Sequence, residues 1–311
     1  MQHPRKLLIV RTDRMGDLLM SLPAIRSIRR EMPGTSIHLL AQRQLHPLLE
    51  GHPDLDHLHP FEPGQDRGGR RLLRAAAWLR RERFDAVIMM NPSKFFHAAS
   101  FLAGVPLRIG YRRKLGFLLT RSLPDTKGER DLHETEYNLE LVRLLGIPAK
   151  GEPPSLPPRP ELERRARELL EQSGLPSGVR PVALHPWTSN PAKNLPAELF
   201  WETARWLIGE GQTVLLIGQP EEGEPAAVPS GVVNLVGRTP LEILPSVLRR
   251  CRLLLSNDSG PVHVAAAVGT PTLVVAPRSH ERQLRRWRPA GTAHRILMDP
   301  NAEEVVRACG S

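Results

Sequence analysis

Residues 255–271 read LSNDSGPVHVAAAVGTP, and their order sets the fold: a buried strand, a polar turn and a helix start in direct succession. The run Arg252 to Leu255 feeds a turn of Ser256, Asn257, Asp258, Ser259 and Gly260, and Pro261 then occupies the first helical turn, where its missing N–H costs nothing. Val262, Ala265, Ala266 and Ala267 continue a small, closely packing helix whose first-turn N–H groups face the loop and attract anions. Gly260 lets a diphosphate approach the backbone, with the Ser259 hydroxyl and the His263 ring N–H as further donors. A plainer reading has Asp258 or Ser259 capping the helix and nothing more.

The same rhythm surrounds this unit. Strands are predicted at 181–185, 213–217, 232–235, 272–275 and 294–297, with helices at 161–172, 196–210, 241–250 and from Ala302 onward. Upstream, KLLIV (6–10), SIHLLA (36–41), DAVIMM (85–90) and 108–111 read as buried strands. Helices are predicted between them at 17–31, 44–50, 70–83 and 93–103, and a last one at 133–145. Residues 147–160, IPAKGEPPSLPPRP, have the composition of a stiff connector. The chain is therefore expected to be α/β, with two Rossmann-like doubly wound domains, 1–150 and 151–311, facing across a cleft. Loops after the strands would line that cleft.

Composition bounds the function. At 311 residues the chain can bury two cores, and two cysteines, Cys251 and Cys309, fit a reducing cytosol better than a disulfide scaffold. No secretory signal or membrane span is visible, so the chain is expected to be soluble or to rest on a surface. A net charge of +10 favours anionic partners: nucleotides, phosphorylated glycolipids, acidic membranes or nucleic acid. Aromatic residues make up 5%, too few for base-stacking platforms, which argues against nucleic acid.

Several loops carry candidate chemistry. RTDRMGD (11–17) follows the first strand: Gly16 permits a tight turn, and Asp17, opening the helix, is either a general base or a helix cap. Asp13 is a weaker candidate in the same loop. Thr188, Ser189 and Lys193 form a polar loop in which lysine supplies a point charge for a diphosphate, unless it simply faces solvent. Glu221, Glu222 or Glu224 could meet a ribose or sugar hydroxyl or be surface acidity. Asp54 and Asp56, among His52, His57 and His59, resemble an Asp-x-Asp metal cluster but read better as an exposed strand entry. No G-x-x-x-x-G-K-[ST] loop, G-x-G-x-x-G fingerprint or G-x-S-x-G elbow occurs.

Taken together, LLIVRTDRMGDLLMSLPAIRSIRREMP near the start, RIGYRRKLGFLLT in the middle, and Ser259-Gly260-Pro261-Val262-His263 through Ala267, Gly269 and Pro271 resemble the family-nine glycosyltransferases, the bacterial lipopolysaccharide heptosyltransferases, nearly end to end. The resemblance implies a GT-B fold with an N-terminal acceptor domain and a C-terminal nucleotide-sugar domain. It implies inverting transfer, with ADP-heptose expected as donor and a lipopolysaccharide-core or related glycan as acceptor, and neither metal nor other cofactor. Asp17 would be the base and Lys193 the diphosphate partner. Thr188, Ser189, Asp258, Ser259, Gly260 and His263 would hold the donor, with Gly16, Arg112 and Arg113 on the acceptor side. Leu195 stands where the family often has tryptophan, in Lys193-Asn194-Leu195-Pro196.

A cytoplasmic enzyme at the inner face of the membrane is expected to present a basic face: Arg67, Arg70, Arg71, Arg74, Arg80, Arg81, Arg83, Arg108, Arg112, Arg113 and Lys114, interleaved with Leu72, Leu73, Trp78, Leu115, Phe117, Leu118 and Leu119. Two other functions fit parts of the sequence. A GT-B-like nucleotide-sugar epimerase or hydrolase would need no glycolipid acceptor, and a basic nucleic-acid-binding protein would need only the charge.

Overall fold

Short apolar runs that are buried on both faces form parallel strands, because the crossover helices that connect them cover the sheet above and below. The computed structural model describes residues 3–64, 68–126, 128–220, 228–291 and 293–310. The chain divides between Glu152 and Pro153 into two units.

The first unit runs β1 (Lys6–Val10), α1 (Met15–Leu19), α2 (Leu22–Glu31), β2 (Ser36–Gln42), α3 (His46–Leu49), β3 (His57–Phe61), α4 (Gly69–Glu82), β4 (Ala86–Met89), α5 (Lys94–Leu102), β5 (Leu107–Arg112), β6 (Arg121–Pro124) and α6 (Glu134–Arg143). Its six strands lie in the order β3-β2-β1-β4-β5-β6, all parallel. Leu8, Val10, Leu40, Val87 and Met89 carry one face of this sheet into a core shared with Ala76 and Leu79 of α4 and Phe96 and Ala99 of α5.

The second unit runs α7 (Pro160–Gln172), β7 (Val182–His185), α8 (Ala197–Gly209), β8 (Val214–Leu216), β9 (Val232–Asn234), α9 (Leu244–Arg249), β10 (Leu253–Asn257), α10 (Gly260–Val268), β11 (Thr272–Ala276), α11 (Glu281–Trp287), β12 (His294–Met298) and α12 (Ala302–Gly310). The order β12-β11-β10-β7-β8-β9, again all parallel, repeats the topology of the first sheet. Gly269 ends α10 in the left-handed region at φ +80°, which turns the chain straight into β11. In each unit the order of connection reverses at one place, between β1 and β4 and between β7 and β10. At such a switch point a crevice opens beyond the carboxyl ends of the strands.

Four expectations need correction. The helix expected over 17–31 starts earlier and is broken: the Ser21 hydroxyl donates back to the Asp17 carbonyl at 2.9 Å, and Pro23 has no N–H for the helical ladder, so α1 and α2 are separate. Gly16 is helical rather than part of a tight turn. Residues 121–124, outside every expected strand, form β6, a short polar edge strand ending in proline, which carries no apolar alternation to reveal it. Ser256 and Asn257 belong to β10, paired in register with Val274 and Val275, so the loop before α10 is only Asp258 and Ser259. Glu221, Glu222, Glu224 and Arg67 lie outside the described residues. Among the described residues, no helix is long and apolar enough to cross a membrane.

Candidate active site

Residues after β1 build the switch point of the first unit. Arg11, directly beyond the strand, is 1% exposed, and a buried guanidinium is tolerated only when its N–H groups find partners. Nη1 donates to the Met90 carbonyl at 3.2 Å and to Asn138 Oδ1 at 3.3 Å. Nη2 donates to Asp17 Oδ1 at 2.9 Å and to Glu134 Oε1 at 3.0 Å. Nε forms an ion pair with Asp13 Oδ1 at 2.9 Å. Burial opposes the charge, but Asp13, Glu134 and Asp17 outweigh it and hold Arg11 protonated above the usual arginine range.

The carboxylates differ in setting. Glu134 is as buried as Arg11, whereas the side chains of Asp13 and Asp17 keep 29% and 17% exposure at the loop's surface. Desolvation pushes Asp13 up to about 6 against the pull of Arg11, with Asp17 and then Glu134 adding to the rise. Asp17 is the third residue of α1, and Arg14 is its N-cap, so Asp17 is not the helix cap. Its Oδ1 is oriented by the arginine instead. Asn91, after β4, closes this end by donating to Thr12 Oγ1 at 3.3 Å.

The second switch point is crossed by an ion pair. Asn190 Oδ1 accepts from the Ala192 amide and starts the 3-10 turn Pro191–Lys193, which turns Lys193 inward. Lys193 Nζ reaches Asp258 Oδ2 at 2.6 Å, with side chains 10% and 5% exposed. Lys193 therefore does not face solvent. Asp258 is committed to Lys193, and the N-cap Ser259 makes no side-chain cap bond, so the plain capping reading fails for α10. Ser259 Oγ instead lies 2.9 Å from Ser256 Oγ and 3.1 Å from His185 Nδ1. Asn257 ties the two loops, donating to the Pro186 carbonyl at 2.5 Å and accepting from the Leu195 amide at 3.1 Å.

Other predicted residues take less central places. The Thr188 hydroxyl is used to fold its own loop, donating to the Asn190 carbonyl at 2.7 Å and accepting from the Asn190 amide, while Ser189 is exposed. His263 is buried in the first turn of α10, which Gly260 opens. Arg112 ends β5 exposed, and Arg113 pairs with Asp125 at 3.2 Å. Asp54 and Asp56 are engaged by Arg26 at 3.4 Å and Arg29 at 2.5 Å, holding the β2–β3 edge to α2.

Sequence reasoning missed Arg11, Glu134, Asn138 and His185 as parts of these sites. A signal for two of them existed: Glu134 and Asn138 are one helical turn apart, polar, on a helix otherwise patterned for burial.

Two Rossmann-like units of this topology in one chain are the GT-B architecture of glycosyltransferases. Residues 72–309 match the family described as glycosyltransferase family 9 (heptosyltransferase). The chain belongs to that family and is a glycosyltransferase. It is 28% identical to lipopolysaccharide heptosyltransferase 2 of Salmonella typhimurium, over 97% of this chain and 96% of that one. Among solved structures it is similar to a family 9 glycosyl transferase from Veillonella parvula (TM-score 0.84, 19% identity, 99% of this chain and 91% of the other). It is also similar to the ADP-heptose lipopolysaccharide heptosyltransferase II of E. coli (TM-score 0.80, 23% identity, 98% and 97% covered).

Proposed function

We propose that this enzyme moves a heptose, with inversion, from ADP-heptose to a lipopolysaccharide-core acceptor, using the first unit for the acceptor and the second for the donor. The observation that carries the donor half is the buried Lys193 beside the start of α10 at a switch point. An ammonium has three N–H donors, so its bond to Asp258 does not exhaust it, and the helix start adds oriented amides. The named activity of the Salmonella and E. coli relatives supplies the sugar and the acceptor class.

In the transfer, the acceptor oxygen forms a bond to the anomeric carbon while its proton passes to the Asp17 carboxylate. The bond from that carbon to the diphosphate oxygen breaks on the opposite face, and the electron pair leaves with ADP. One base is enough for a single displacement. Charge growing on the diphosphate is met by Lys193 and by the amides at Ser259 and Gly260, and this cationic donor set does the task often given to a metal ion. The test is a thermal-shift panel of ADP, GDP, UDP and dTDP sugars, followed by transfer in the presence of EDTA. ADP-heptose is expected to raise Tm most, and the product to carry the inverted anomer. A preference for another nucleotide, or release of free heptose in place of transfer, would overturn the reading.

We also propose that the first unit rests on the inner membrane face, which places the enzyme in the cytoplasm. The structure changes the residues expected there. Leu72, Trp78 and Leu119 pack on the core, and Arg108 is spent on the Val105 and Leu118 carbonyls. Among the described residues of this unit the exposed large apolar side chains are Leu73, Phe101, Leu102 and Phe117, and Arg70, Arg74, Arg81, Arg112 and Arg113 are exposed as well. Binding to vesicles is expected to rise with anionic lipid and fall with salt, and to weaken when Phe117 and Leu73 become serine. Equal sedimentation with neutral and anionic vesicles would sink the idea.

A further inference from the structure

One guanidinium serves three carboxylates at the first switch point, and only one of the three is sealed from solvent. Glu134 opens α6 and is 1% exposed, although an acidic residue that merely complements a helix N-terminus has no reason to be buried. Glu136, two residues on, offers that complement from the surface, where it meets Arg143 at 3.4 Å. Glu134 instead shares Arg11 Nη2 with Asp17, at 3.0 and 2.9 Å. Four residues along α6, Asn138 Oδ1 accepts from Nη1, while the Asn138 amide donates to the Met20 carbonyl at the end of α1. Helix α6 is itself fixed to the sheet, since the Tyr111 hydroxyl of β5 donates to the Tyr137 carbonyl at 2.6 Å.

We infer that Glu134 is a positioning residue for the base: through Arg11 it fixes where the Asp17 carboxylate points and how much positive charge that carboxylate feels. The inference rests on Asp17 being the base. A guanidinium is a rigid planar fork, so Glu134 and Asn138, gripping Nη2 and Nη1, leave Arg11 one orientation in which to present its remaining Nη2 hydrogen to Asp17. With all three carboxylates ionised, the cluster of Arg11, Asp13, Asp17 and Glu134 carries two net negative charges. Burial pushes the Asp13 carboxyl up to about 6 against the pull of Arg11, and the neighbouring Asp17 and Glu134 carboxylates add to that rise. Among the described residues, Asp17 meets Arg11 of the β1 edge and shares it with Asp13 of the same loop and Glu134 of α6.

The experiment measures the pH dependence of kcat/KM with ADP-heptose and a heptose-deficient lipopolysaccharide acceptor, and follows the Asp13 carboxyl carbon by NMR titration. Glu134→Gln keeps the shape and the hydrogen-bond acceptor but removes one negative charge. It is expected to move both the acid limb of kcat/KM and the Asp13 midpoint to lower pH, by about one pH unit, and to lower kcat several-fold with the donor KM unchanged. Glu134→Asp keeps the charge but shortens the reach. It is expected to lower kcat about tenfold while the acid limb stays in place. Glu136→Gln, off the cluster, is expected to change neither. An acid limb and an Asp13 midpoint that stay put in Glu134→Gln overturn the inference, as does a loss of rate equal at every pH. If Glu134→Gln does not fold, full kcat in Glu134→Asp overturns it. Asp17→Asn separates the two claims: if it keeps full activity the assignment of the base fails, whereas the Asp13 titration in Glu134→Gln still reports whether Glu134 sets the charge of the cluster.

Discussion

Asp17→Asn is expected to lower kcat by about 10²–10⁴-fold, the usual contribution of a positioned general base. Asparagine has the shape of aspartate, and its carbonyl oxygen can still accept from Arg11 Nη2, now 2.9 Å from Asp17 Oδ1. The loop should therefore keep its form and lose only its capacity to take a proton. Donor affinity, which the proposal assigns to the second unit, should stay within a factor of about two, so the loss falls in kcat and in kcat/KM alike, as expected for an interaction used only in the transition state. Asp13→Asn is the companion measurement. Asp13 shares Arg11 through Nε but lies outside α1, and its removal should cost much less than the removal of Asp17. Near-normal turnover in Asp17→Asn, or a larger loss in Asp13→Asn, would move the role elsewhere.

The parts of this fold that were legible in the sequence are those whose signal is local. Each β7–β12 strand is a short apolar run followed by turn residues, and all six were placed from that pattern alone. In the first unit the interior strands were found the same way. The edges were not: β3 carries His57, His59 and Pro60, and β6 is Arg-Ser-Leu-Pro. These two edge strands are half exposed and, unlike the edges β9 and β12, carry no apolar run, so composition does not mark them. The break between α1 and α2 escaped for a different reason. Hydrophobic spacing continues across it, and the interruption comes from one serine hydroxyl and one proline ring.

The site was legible in its loops but not in its pairings. Asp17, Lys193 and Asp258 stand out because each follows a strand at a place where the chain must turn. That Lys193 meets Asp258, 65 residues away, follows only once β7 and β10 are known to be neighbours. Arg11 and Glu134 are 123 residues apart and join because α6 packs back over the carboxyl end of β1. Burial is what gives these pairs their meaning, and the helical spacing that sets Glu134 and Asn138 on one face does not name the arginine they meet. The family resemblance implies roles for single residues, while in the structure Asp17, Lys193 and Asp258 are each already engaged with a partner within the chain.

Those partners make the lysine prediction sharper than a simple loss of charge. Lys193→Ala strands the Asp258 carboxylate, 5% exposed, without its cation, and breaking one side of a buried pair costs about 3–5 kcal/mol of stability. Asp258→Asn strands the ammonium and should destabilise by a comparable amount. The two variants are expected to diverge on ADP. A charge-assisted hydrogen bond contributes about 1.5–3 kcal/mol, so loss of Lys193 should weaken ADP binding by calorimetry about 10- to 100-fold. Asp258→Asn leaves the ammonium without its internal anion and should bind ADP at least as tightly as the unaltered chain, with ADP restoring much of the lost Tm by mass action. The double variant Lys193→Met with Asp258→Asn removes both charges; it should recover most of the stability and none of the affinity. If Lys193→Ala binds ADP normally, or if both single variants lose affinity equally, the pair is a structural tie across the β7–β10 switch point and the diphosphate is held by other groups.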